Sequence, residues 1–158
     1  MINDLMGCLS TLLDERRELL ESLLALAAKH TAALAAEDVS SLDGVLQQKQ
    51  QLIDSVDKLE AKSDLIWGEL SQTQGVSDWS DLLRYQPDSP LLQKRAAIAA
   101  LLGELLQIDA EHERLGQQLL VKLEQELQVV NRSAAASKTY AQAGRESAVP
   151  AIFANRKL

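Results

Sequence analysis

The chain lacks almost everything that would mark a catalytic or disulfide-built protein. Its 158 residues include one cysteine, Cys8, so neither an intramolecular disulfide nor a multi-cysteine metal site can form, which fits a reducing compartment. The two histidines, His30 and His112, are too few for a di-iron bundle, which needs two Glu-x-x-His pairs and two further carboxylates. Asp109 and His112 have that spacing once, whereas His30 has Ala27 three residues before it. All seven glycines are isolated, which excludes a phosphate-cradling loop and a dinucleotide fingerprint. His112-Glu113 has no second histidine four residues on, and Cys8 stands in no nucleophile motif. The carboxylates are spread along the chain rather than gathered where their pKa values would be split. No enzymatic activity, cofactor or metal is expected. A net charge of -7 repels a phosphate backbone, so nucleic acid is not an expected partner. No apolar run approaches the roughly 18 to 20 uncharged residues of a membrane span. Leu5-Met6-Gly7-Cys8 superficially matches a lipoprotein cleavage site but has no charged leader or apolar core before it. A soluble, cytoplasmic protein without membrane insertion is expected.

What is present is leucine and alanine. Apolar residues make up 46% of the chain and aromatics only 3%, with a single phenylalanine, so the core must be aliphatic and built from strong helix formers. The expected class is all-α: an elongated antiparallel bundle of about three long helices, with a short helix in a linker and a weakly ordered C-terminal segment.

The periodicity places these helices. In the first, residues 3–36, Leu5, Leu9, Leu12, Arg16, Leu19, Leu23, Leu26, His30 and Ala33 recur at steps of three and four. Leu13, Leu20, Ala27 and Leu34 flank them. Arg16 is expected to lay its methylenes on the bundle with its head in water, and His30 to sit near a frayed end. Asp38 or Ser40 can cap a second helix, residues 39–73, whose inward positions run Leu42, Val45, Lys49, Leu52, Val56, Leu59, Ser63, Ile66 and Leu70. The break at 37–41 suits either an antiparallel turn or a kink in one long helix, and the turn is favoured.

A linker, residues 74–89, begins at Gly75, which can take the left-handed conformation that stops a helix. It holds a short helix over Trp79–Tyr85 capped by Ser77 or Asp78, and Trp67 and Trp79 are expected to pack over the end of the bundle. Ser89 and Pro90 then supply a start signal for the last helix, residues 90–142. Its stripe is Ile98, Leu101, Leu105, Ile108, His112, Leu115 and Leu119. The pattern continues through Leu123, Leu127 and Val130 displaced by one position, so the far end is expected to face another protein. After Val130 the large aliphatics vanish, and marginal order is expected there, within a helical domain spanning 1–144. Residues 145–158 are expected to form a flexible tail carrying Val149, Ile152 and Phe153.

This layout resembles the FlgN-type flagellar export chaperones. The resemblance spans nearly the whole chain: a leucine-rich first helix, then Glu37-Asp38 followed by Leu42, Leu46, Lys49, Leu52 and Ile53, a glycine-containing interruption, and a long last helix. Tyr140-Ala141-Gln142-Ala143-Gly144 is similar to the tyrosine and glycine found late in such chaperones. The resemblance implies a cytoplasmic chaperone that binds the C-terminal segments of the hook-filament junction proteins FlgK and FlgL, prevents their premature association and delivers them to the type III export gate. By the same resemblance, Leu119, Leu123, Leu127 and Val130 fall on the client-binding face, and Tyr140 matches the tyrosine that docks to the gate protein FlhA. The alternatives are a self-assembling structural bundle or an adaptor for another secretion system. In the absence of client, a second copy covering the same face as a homodimer is compatible with the pattern.

Overall fold

The computed structural model describes residues 2–146. Four helices and no strand are present among them: α1 (Ile2–Ala35), α2 (Val39–Gln74), α3 (Trp79–Tyr85) and α4 (Leu91–Glu146). The class is all-α. The chain divides into two compact units, residues 1–113 and residues 114–158.

In the first unit, α1 and α2 form an antiparallel hairpin with the most extensive backbone contact of any two elements. The three-residue turn between them satisfies the last carbonyls of α1. The Asp38 amide donates to the Ala33 carbonyl at 3.0 Å, and the Glu37 amide to Leu34 at 3.2 Å, with Glu37 in the left-handed region at φ 55°. That is a Schellman closure made without glycine. Asp38 then caps α2, accepting from the Ser41 amide at 3.1 Å and the Ser41 hydroxyl at 2.5 Å.

The first part of α4 runs parallel to α1, in a register fixed by polar contacts at an almost constant separation of 80 to 84 residues. The Lys94 ammonium reaches Asp14 and Ser10, both at 2.6 Å; Gln86 donates to Asn3 at 2.9 Å; His112 Nε2 meets Thr31 Oγ1 at 2.8 Å. Between these contacts the core is aliphatic. Leu9, Leu13, Leu20 and Leu23 of α1 pack with Val56 and Leu70 of α2, Leu82 of α3, and Leu91 and Ile98 of α4. Each such side chain contributes about 1.5–3 kcal/mol on burial.

The linker closes one end. Gly75 ends α2 at φ 66°, and Val76 turns into the core. Asp78 and Asp81 form a reciprocal capping box on α3, with Ser77 also donating to Asp81 from its amide and hydroxyl. Trp67 and Trp79 pack edge to face at 5.1 Å against the core, as expected, with the Arg95 guanidinium 5.0 Å from the Trp79 ring. The Leu91 amide donates to Ser89 Oγ at 3.4 Å, so the serine-proline start signal acts as expected.

Three expectations need correcting. Arg16 does not hold its head in water: it pairs with Glu60, and its Nε is buried without a partner. His30 is not at a frayed end but is buried among α1, α2 and α4. The helix expected to end at 142 continues to Glu146, so the first two positions of the expected tail belong to α4 and its remainder lies outside the described residues.

Candidate functional site

In the second unit, the described residues are the helical stretch 114–146. Every residue from Leu120 to Ser133 is exposed, although six of them are aliphatic: Leu120, Val121, Leu123, Leu127, Val129 and Val130. At about 100° per residue, Leu119, Leu120, Leu123, Leu127 and Val130 fall within an arc of roughly 100°, the width of one buried helix face. Leu119 is half-buried, whereas Leu127 and Val130 are 59% and 61% exposed. Glu124 and Glu126 sit at the two edges of the arc by the same geometry, leaving its centre uncharged. Single exposed leucines are ordinary on a soluble protein, whereas this aliphatic stripe is contiguous over several turns.

All four residues expected to bind a client therefore lie on one face of one helix. Leu120, three residues before Leu123 and seven before Leu127, lies on the same arc and is also exposed. Tyr140, the expected docking residue, follows on the same helix and is 80% exposed. Val121 and Val129 lie off the arc.

A second concentration of functional chemistry occupies the first unit. His30 of α1 and His112 of α4 stack with ring centroids 3.9 Å apart, and both are buried. The Thr31 hydroxyl donates to the Ala27 carbonyl at 3.0 Å, so its oxygen accepts from His112 Nε2 at 2.8 Å. That assigns the proton of neutral His112 to Nε2 and leaves Nδ1 a bare acceptor, buried without a partner. Beside the pair, Lys49 of α2 reaches Asp109 of α4 at 2.6 Å. Burial lowers the pKa of both histidines. For His30 the neighbouring His112 and Lys49 add to the effect, and for His112 Lys49 does. No cluster of three or more metal-ligating side chains exists among the described residues.

The all-helical fold with its long helices agrees with a family match. The FlgN protein family model covers residues 2–148. The chain belongs to the FlgN family. No curated protein and no solved structure matches it. FlgN proteins are flagellar export chaperones rather than enzymes, and the long helices of this chain are the scaffold of such a chaperone. Among the described residues of this FlgN protein no helix is long and apolar enough to cross a membrane.

Proposed function

We propose that the protein is a cytoplasmic chaperone that holds the C-terminal segments of the hook-filament junction proteins FlgK and FlgL on the stripe formed by Leu119, Leu123, Leu127 and Val130. It keeps them from associating prematurely and hands them to the export gate, where Tyr140 docks to FlhA. The observation that carries this reading is the uninterrupted exposure of Leu120 to Ser133 around an aliphatic arc, within a chain of the FlgN family. An amphipathic client helix laid against the arc buries both apolar faces, in the manner of helix-in-groove or coiled-coil packing. Ordering the client on binding lowers the affinity for a given buried area, which suits cargo that has to be released.

Titration with peptides from the C-termini of FlgK and FlgL, followed by calorimetry and circular dichroism, tests the reading. Saturable one-to-one binding with a gain of helix, lost in Leu123→Asp while the protein's own helicity is kept, is expected. Affinity unchanged by Leu123→Asp removes the stripe as the client face. No binding at high micromolar peptide, together with a tight dimer, makes the stripe a self-assembly surface.

A further inference from the structure

The first unit contains a cavity that its own side chains do not fill. It measures about 180 Å³ and takes walls from three helices: Leu23 and Leu26 of α1, Val45 and Val56 of α2, and Leu105 of α4 are among them. Protein interiors are packed closely enough that voids much larger than a water molecule are few. Ordered water suits only the polar end of the cavity, because each water needs two to four polar partners and most of this wall is aliphatic. The polar groups lie together: His30, His112 and the Lys49–Asp109 ion pair.

Of the two histidines, His112 keeps its unpartnered Nδ1 fully buried, which leaves His30 to face an occupant. His30 is 8% exposed and lines the cavity. His112 is held by Thr31 through Nε2, and Lys49 and Asp109 satisfy each other. Leu106, another wall residue, is 68% exposed, so the cavity opens beside it.

We infer that this cavity is a binding site for a small apolar ring compound bearing one N–H or O–H group, of the indole or phenol class. The ring lies among the aliphatic walls and its polar hydrogen goes to a ring nitrogen of His30. An apolar cavity of about 150 Å³ accommodates benzene, so a ring of this class matches the space. The occupant touches all three helices at once and binds only the folded state, so it raises the stability of this unit by mass action. The site is independent of the client stripe proposed above.

The test uses the full chain, indole as the probe, and indene as the analogue that keeps the ring system but lacks the N–H. Indole is expected to bind saturably, to raise the melting midpoint with concentration, and to shift the His30 ring resonances and the Leu23 and Leu105 methyl resonances in NMR spectra. Indene is expected to bind about tenfold more weakly, the difference one hydrogen bond makes. His30→Leu should abolish that difference. Ala27→Leu, which adds volume at a half-buried wall position, should abolish binding of both probes and raise the melting midpoint of the unliganded protein. Absence of saturable binding up to the solubility of indole overturns the inference. So does binding that leaves the His30 and methyl resonances unmoved, a readout that does not depend on either variant folding.

Discussion

His30 and His112, which are 82 positions apart in the chain, lie ring against ring at 3.9 Å, one supplied by α1 and the other by α4. Neither is in a position that welcomes a proton. Burial holds both below the usual value of 6.5, and a charge on either ring opposes a charge on the other, with Lys49 adding to the repulsion and Asp109 opposing it. Below pH 6.5 the unfolded chain therefore takes up protons that the folded chain still resists, and stability falls as the pH drops; well above 6.5 the pair has no effect. The melting midpoint is expected to be lower at pH 5.5 than at pH 7.5, and His30→Leu should shrink the difference. Asp38 and Asp81 are also held below their usual range by hydrogen bonds, led by those from Ser41 and Ser77 respectively, but their contributions are lost only below about pH 4. A drop in His30→Leu equal to that of the parent would acquit the pair.

Glu37 occupies a left-handed conformation that glycine adopts at no steric cost. The strain on a non-glycine residue there is about 1–2 kcal/mol, partly offset by the greater freedom of glycine in the unfolded chain. Glu37→Gly is expected to stabilise the protein by about 0.5–1 kcal/mol, measured as a higher urea midpoint with an unchanged slope.

Leu70 is completely buried, whereas Leu127 is 59% exposed. Leu70→Ala should cost about 3 kcal/mol, the sum of lost transfer energy and the cavity left behind. Leu127→Ala should lie within about 0.5 kcal/mol of the parent. Equal losses in urea unfolding would show that the terminal stripe is covered in solution. If Leu127→Ala instead weakens peptide binding at unchanged stability, the leucine is held for a partner.

Tyr140 is 80% exposed, so Tyr140→Ala should leave stability within about 0.5 kcal/mol of the parent. The proposed docking role predicts full client affinity with reduced export of the client from cells. Loss of client binding would move Tyr140 onto the client face.

The inward faces of α1 and α2 were legible because leucine spacing reports directly which side of a helix is buried. Leu9, Leu23, Val56 and Leu70 all lie where the period puts them. The cap residues were legible for an equally local reason, since Asp38, Asp78 and Ser89 each bond within three residues of themselves. Periodicity does not say what lies opposite a residue. Arg16 meets Glu60 from 44 positions away, and the partner of His30 comes from another helix, so both were misjudged although their inward phase was plain. The cavity was hidden for the same reason, because it depends on how three walls fit rather than on any one of them. Whether residues 36–38 bend or reverse the chain rested on the backbone of Glu37, a glutamate where the usual left-handed signal is glycine.

That turn also serves as the phase setting of the hairpin. α1 closes and α2 opens across only Ala36, Glu37 and Asp38, leaving no slack to absorb a change in length. A residue added or removed there has to break the Asp38–Ala33 or Glu37–Leu34 bond that closes the turn, whereas one added inside α2 rotates all that follows by about 100°. A single insertion in the first turn of α2 would swing Val45, Val56, Leu59 and Leu70 off the core and bring hydrated positions such as Asp57 toward it. The length of the turn is thus fixed by its own backbone bonds, as the faces of α1 and α2 are fixed by their leucines.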